Sequence, residues 1–241
     1  MLERRKFESP EINKMVDRQL RAWEMRRTQR LSADEPRRPE VEDFIAISRQ
    51  VGAGASEIAS ALAARLNWPR FDKEVLQAMA GDDATRHKIY ESLDERDLGW
   101  WEETFRSVAD PEFIRNDYFR RLVKTTLSLA RQGSGVFVGR GADLMLPQNL
   151  GFRVRIVAPI AMRLQRFADR HGMTLRKAGD IVTRVDRERA EFVSHHFRVD
   201  INDPTRCDLT LNMERFSIDQ AVEAIVAVRT TMMGSASKAK G

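Results

Sequence analysis

The chain has a single cysteine, Cys207, among its 241 residues. One thiol excludes an internal disulfide framework and any metal site built from several cysteines. Apolar runs are short, and none approaches the roughly 20 residues that a membrane-spanning helix needs. Residues 1–6 are largely charged and lead into no apolar segment, so we expect no secretory signal. These absences predict a cytoplasmic protein with no membrane partner.

Hydrophobic residues make up 42% of the chain, which is enough to form a packed core and argues against disorder of the whole chain. Charged residues make up 32%, and the formal net charge is +5. A mild positive excess favours anionic partners such as nucleotides, phosphates or nucleic acid. It does not choose among them, because basic and acidic residues are interspersed.

Residues 1–40 differ in character from the rest, with eleven Lys/Arg against eight Asp/Glu. The segment Ser9-Pro10-Glu11 is typical of a helix start, and residues 34–39 are typical of a linker. We expect a helical N-terminal extension that docks on the body or on a second copy of the chain, which would make a homo-oligomer. Its arginines could contact nucleic acid, but a solvated, salt-bridged helix face is the interpretation we favour.

The body begins with a strand, a glycine turn and a helix. Residues 44–48 have the pattern of a short buried strand, and Gly52 and Gly54 follow in a turn. Apolar residues then recur at the spacing of one helix face, from Ile58 to Leu66. This order is typical of the first unit of a nucleotide-binding α/β domain.

The remaining patterns alternate strands with helices. Strands are predicted just before Asp72 and at residues 136–138, 152–157 and 208–212; helices are predicted at residues 73–80, 115–132, 160–171, 174–196 and 217–232. Such alternation predicts an α/β fold, a three-layer sandwich around a mainly parallel sheet. We place this domain at residues 41–233, with an inserted segment at 82–112, a helical lid region at 160–206 and a disordered tail at 234–241.

The glycine turn is an incomplete phosphate-binding loop. The full motif is G-x-x-x-x-G-K-[ST], whose backbone N–H groups cradle phosphates while the lysine neutralises them. Here Gly54 and Ser56 match the second glycine and the hydroxyl, but Arg49 replaces the first glycine and Ala55 replaces the lysine. We hypothesise that Arg49 supplies the missing positive charge. On the motif alone, a glycine turn that serves only tight packing is the alternative.

The order of motifs from about Phe44 to Val228 resembles the cytidylate kinase-like family, relatives of bacterial CMP kinase among the P-loop nucleoside monophosphate kinases. The matching segments, in chain order, are residues 44–56, Asn67–Asp72, Gly139-Arg140-Gly141, Arg163-Leu164-Gln165-Arg166, Asp186-Arg187-Glu188-Arg189 and Cys207–Asn212. The chain departs from ordinary CMP kinases at Ala55, at Gly141 in place of an aspartate, and after Asp72, where Lys73 is the only basic residue nearby.

This resemblance implies a P-loop kinase-like fold and transfer of the γ-phosphoryl group of ATP to CMP or a similar nucleoside monophosphate, with Mg²⁺. It implies that Ser56 ligates the metal. The implied roles of the other residues fall into three groups: a phosphate-binding set, Gly52, Ala53, Gly54, Ala55, Ser56 and Glu57; a catalytic set, Arg49, Arg163 and Arg166; and an acceptor-binding set, Asp72, Arg140, Asp186 and Arg189. Arginine suits these roles because its planar fork binds phosphate oxygens in pairs and stays charged.

Two other functions remain open from the sequence. The loss of the loop lysine to Ala55 is compatible with a nucleotide-binding regulatory or assembly protein of little or no kinase activity. The basic residues 1–40 are compatible with nucleic-acid binding, which would weaken steeply with salt.

Overall fold

In the computed structural model, the described residues are 41, 43–82, 117–131, 133–139 and 141–238, together with residues 16, 21, 25 and 86. The last four are helical, and Val16 packs against the core. The predicted N-terminal extension and the inserted segment at 82–112 therefore lie almost wholly outside the described residues. No helix in the described part is long and apolar enough to cross a bilayer.

Five parallel strands form one sheet in the order β2-β3-β1-β4-β5. The strands are β1 (Phe44–Arg49), β2 (Arg70–Asp72), β3 (Gly135–Val138), β4 (Phe152–Val157) and β5 (Leu209–Asn212). The α/β fold with a parallel sheet is confirmed, and each strand lies within two residues of its predicted position. Sequence patterns could place these strands along the chain, but not order them in space.

The described helices cover both faces of the sheet. They are α1 (Ala55–Leu66), α2 (Lys73–Gly81), α3 (Asp117–Arg131), α4 (Ala142–Met145), α5 (Ile160–His171), α6 (Leu175–Phe197) and α7 (Ile218–Lys238), with one 3₁₀ turn at Pro204–Arg206. The short helix α4 is not predicted from the sequence, because one turn carries no periodic signal. Helix α7 continues past its predicted end into the segment predicted as a disordered tail.

Alternation along β1 shows why a parallel sheet suits this sequence. Phe44 and Ala46 pack into one hydrophobic cluster with residues of α2, α3 and α6, and Ile45 and Ile47 pack into a second with residues of α1 and α7. Because successive strand residues point to opposite faces, β1 is buried on both sides. The result is the predicted three-layer sandwich.

The sheet order creates a cleft at the carboxyl end of β1. Neighbours of β1 are β3 on one side and β4 on the other; the connection from β1 leads to β2 on the β3 side, whereas the connection from β3 crosses to β4 on the opposite side. Ligands of open α/β sheets bind at such a switch point. Arg49, the last residue of β1, and Gly139, the first after β3, lie at this edge.

Candidate functional site

The loop of residues 50–54, which we call the glycine loop, depends on two glycines in the left-handed conformation. Gly52 has φ +77° and Gly54, the N-cap of α1, has φ +88°. A Cβ on Gly52 would lie 2.5 Å from the backbone oxygen of Arg163, so a side chain there would collide with α5. Since the first backbone N–H groups of a helix have no partner within the helix, the start of α1 offers donors to an anion.

A cavity of about 510 Å³ opens over the glycine loop; we call it the glycine-loop pocket. It is lined by residues 49–57 and by side chains of α5 and α6, including Arg166 and Arg189. A Cβ on Gly54 would lie 3.5 Å from Nη1 of Arg166, which places this cation directly above the loop. The volume falls in the range of ordinary ligand sites, and the cations suit a phosphate-bearing ligand.

Behind the loop, Asp186 and Arg163 form a brace. The Val51 N–H donates to Oδ1 of Asp186 at 2.9 Å, and Oδ2 of Asp186 pairs with Nη1 of Arg163. The same nitrogen of Arg163 donates to the Val51 carbonyl at 3.2 Å, and its Nε donates to Ala158 O at 3.0 Å. Arg163 is buried, at 7% exposure. Arg163 of α5 and Asp186 of α6 therefore hold the loop in place. The sequence predicts catalysis for Arg163 and acceptor binding for Asp186.

Replacing Asp186 with asparagine should loosen this brace. The change removes a carboxylate from the buried Arg163 guanidinium, and we expect the free energy of unfolding to fall by about 2 kcal/mol. ATP affinity should fall with it, because the loop loses its tie to α6. Chemical denaturation and calorimetry measure the two effects.

The control is Glu191→Gln, which breaks an exposed pair with Arg187 on the same helix. That change should cost less than about 1 kcal/mol. Equal stability of the Asp186→Asn and Glu191→Gln variants would contradict the brace.

A second, smaller cavity lies beside the first, at the ends of β1 and β3; we call it the edge pocket. Its charged lining residues are Arg49, Lys73, Asp143, Glu188, Arg189 and Arg206. Asp143 is already paired with Arg206 at 3.2 Å. Below Ser48, another lining residue, the buried Arg155 donates to the Ser48 hydroxyl and to Oδ1 of Asn202, both at 2.8 Å. Cations therefore predominate around this pocket, which suits an anionic ligand.

Arg49 and Arg189 line both pockets. The Arg49 guanidinium rests on Gly139, since a Cβ there would fall 1.4 Å from its Nη1. Nη1 of Arg189 donates to the Arg49 carbonyl at 3.3 Å. Burial, and then the nearby charge of Arg189, lowers the pKa of Arg49 to about 10. Arg49 thus stays charged at neutral pH and places a partly desolvated cation between the two cavities.

Asp72 and Ser56 make contacts that do not fit a chain-held magnesium ion. Oδ1 of Asp72 accepts the Val75 N–H at 3.1 Å and caps α2, and Oδ2 lies 2.8 Å from Nη2 of Arg70. The same Nη2 donates to the Ser56 hydroxyl at 3.2 Å. A divalent ion between Ser56 and Asp72 would meet a guanidinium there. The described residues also contain no group of three or more His, Cys, Asp or Glu placed to hold a metal.

Most of the predicted site residues line the glycine-loop pocket, and the other described ones lie elsewhere. The glycine-loop pocket brings together Arg49, Gly52, Ala53, Gly54, Ala55, Ser56, Glu57, Arg166 and Arg189. Glu57 pairs with Arg170 across its mouth, and Ala55 is buried, at 4% exposure. Arg140 lies outside the described residues. Asp186 and Arg189 share a helix face as predicted, with their charged atoms 3.9 Å apart.

Sequence patterns did not predict four residues of the site and its surroundings: Arg70, Arg155, Arg206 and Asp143. Strand alternation gave one signal for Arg70, because residues two apart on a strand share a face and Arg70 stands two before Asp72. The others carry no local signal. Arg206 and Asp143 are distant in sequence, and the buried Arg155 lies within a run of strand residues.

Comparison with known proteins agrees with the fold and identifies relatives of the chain. The chain is 27% identical over 184 residues to a cytidylate kinase of Natronomonas pharaonis, covering 76% of this chain and 86% of that protein. It is 26% identical to a cytidylate kinase of Methanothrix thermoacetophila, covering 77% and 99%. A crystal structure of an uncharacterised Eubacterium ventriosum protein shares the fold, with a TM-score of 0.65 at 22% identity, covering 78% and 98%. A family profile described as "Cytidylate kinase-like family" matches residues 44–215, most of the chain, and the chain belongs to that family.

Proposed function

We propose that this protein transfers the γ-phosphoryl group of ATP to a nucleoside monophosphate, with CMP as the first acceptor to test. The observation that carries the proposal is the position of Arg49 and Arg189, which line both the glycine-loop pocket and the edge pocket. Transfer between two bound phosphates asks the protein mainly for positioning and for positive charge around the moving group. Two arginines at the junction of two anion-binding cavities meet that demand.

In this mechanism the start of α1 and the glycine loop bind the donor phosphates, and Arg166 covers them from α5. Arg49 takes the charge role of the missing lysine from the opposite end of the loop. The edge pocket receives the acceptor, with Arg189 on its phosphate. The predicted role of Arg140 at the acceptor remains part of the proposal, whereas Asp72 caps α2 and pairs with Arg70 and is assigned no contact with the acceptor. Any Mg²⁺ would arrive on the ATP phosphates, and we assign it no ligand from the chain.

The relatives named cytidylate kinase, one of them 27% identical to this chain, support CMP as the first acceptor to test. The test incubates purified protein with ATP, Mg²⁺ and each of CMP, dCMP, UMP, AMP and GMP, and measures ADP formation. We expect acceptor-dependent ADP, highest with a cytidine nucleotide. No ADP above a heat-inactivated control with any acceptor would contradict the proposal and favour a nucleotide-binding regulatory protein.

A further inference from the structure

One guanidinium fills the space between the glycine-loop helix and the neighbouring strand β2. Nη2 of Arg70 lies 2.8 Å from Oδ2 of Asp72 and 3.2 Å from the Ser56 hydroxyl. Nη1 donates to the Ser60 hydroxyl and, at 3.4 Å, to the Ser56 carbonyl. The Arg70 side chain is only 20% exposed and that of Asp72 only 9%. This arginine therefore holds Ser56 and Asp72 together from the side of the sheet.

These contacts bear on whether the Ser56 hydroxyl donates a hydrogen bond to a ligand or accepts one from it. A serine hydroxyl has one hydrogen to donate and two lone pairs to accept with. Its oxygen already accepts from Arg70, and the residue lines the glycine-loop pocket. The hydrogen is thus directed away from Arg70 and is free to donate to an anion in the pocket. The adjacent positive charge strengthens that donor and repels a cation from the same oxygen.

We infer that Arg70 takes the place of a chain-held divalent cation, turning Ser56 into a hydrogen-bond donor for a phosphate of the nucleotide and making nucleotide binding by this chain independent of Mg²⁺. The inference rests on the proposed function, because it concerns the donor nucleotide of the same site. It concerns the binding of the nucleotide and not the transfer of the phosphoryl group. Magnesium needs near-octahedral oxygen ligands, and both oxygens of Asp72 are already engaged.

The test measures ATP binding by calorimetry in EDTA and in excess Mg²⁺. Wild-type protein should show dissociation constants within about threefold of each other. Arg70→Met removes the charge but keeps most of the side-chain bulk, and its ATP binding in EDTA should be at least tenfold weaker than in Mg²⁺. Arg70→Lys, which keeps the charge, should lie between the two. Arg65→Met is the matched control, since Arg65 is an exposed residue of α1 paired with Glu223, and it should behave as wild type.

Ser56→Ala supplies a measurement that does not depend on how the Arg70 variants fold. Loss of a donor should weaken ATP binding by about tenfold in both buffers, whereas loss of a metal ligand would weaken it only in Mg²⁺. Wild-type binding that falls tenfold or more in EDTA, with a Ser56→Ala effect seen only in Mg²⁺, would overturn the inference and leave the proposed function intact. No ATP binding in either buffer would overturn both.

Discussion

Replacing Arg49 with methionine is expected to lower the rate of phosphoryl transfer at least about a thousandfold. Arginines that stabilise the charge of a transferring phosphoryl group contribute on the order of 10³–10⁵ to the rate, and Arg49 lies where the two pockets meet. The unfolding midpoint should stay equal or rise slightly, because the change removes a charge that burial has desolvated. Single-turnover kinetics and thermal unfolding measure the two quantities.

Two comparisons make this result specific. Arg49→Lys should recover little of the lost rate, since an ammonium group lacks the planar fork that binds two phosphate oxygens at once. Arg65→Met, at an exposed position of α1, should leave the rate unchanged. An Arg49→Met protein within tenfold of the wild-type rate would show that Arg49 is not the substitute for the missing lysine.

Replacing Gly139 with alanine is expected to lower the rate at least about a hundredfold without unfolding the protein. The new Cβ would fall 1.4 Å from Nη1 of Arg49, so the guanidinium must leave its position between the pockets. The displaced atom is the end of a flexible side chain, so the stability cost should be limited to the strain of φ +72° in a residue with a Cβ, about 1–2 kcal/mol. We therefore expect a large loss of rate with only a small loss of stability.

Gly172→Ala is the matched control. Gly172 also has a left-handed φ, +59°, but a Cβ there meets nothing within 4 Å, so the variant carries the strain without the displacement. We expect it to keep wild-type turnover. The double variant Arg49→Met/Gly139→Ala should be little slower than Arg49→Met alone, because both changes remove the same cation. Fully multiplied effects would mean that Gly139 acts by another route.

How far the sequence predicts this molecule depends on the range of the interaction. The strand, glycine turn and helix from Phe44 to Leu66 follow from local periodicity and turn chemistry, and the structure confirms them. The sheet order does not follow, because β1 pairs with strands that lie much later in the chain. Family resemblance, rather than periodicity, pointed to the P-loop kinase arrangement.

The arginines of α5 show where prediction of the site reaches its limit. Arg163 and Arg166 stand three residues apart, share a helix face and carry the same predicted role. In the structure Arg163 lies buried behind the glycine loop, bonded to Asp186 and Val51, while Arg166 lies above Gly54 in the pocket. The two arginines are about one helical turn apart, so that Arg163 braces the loop from behind while Arg166 faces the pocket. That distinction depends on how α5 docks against residues 50–54, which no spacing in the sequence records.

The same limit applies at Asp72. A polar residue at the end of a strand predicts a ligand contact, and strand alternation places Arg70 on the same face. Only the structure shows that Arg70 also reaches the Ser56 hydroxyl on α1, so that the pair is committed within the protein. The contact joins two residues that stand fourteen positions apart in sequence and lie on neighbouring elements in space.

The central claim is that two anion-binding pockets meet at Arg49. Its most direct test is a calorimetric titration of CMP into protein saturated with the non-hydrolysable ATP analogue AMP-PNP. We expect one CMP to bind per chain in the presence of the analogue, and the analogue to bind in the presence of CMP, because each nucleotide has its own cavity. Displacement of the analogue by CMP, or no binding of either nucleotide, would contradict the two-pocket account.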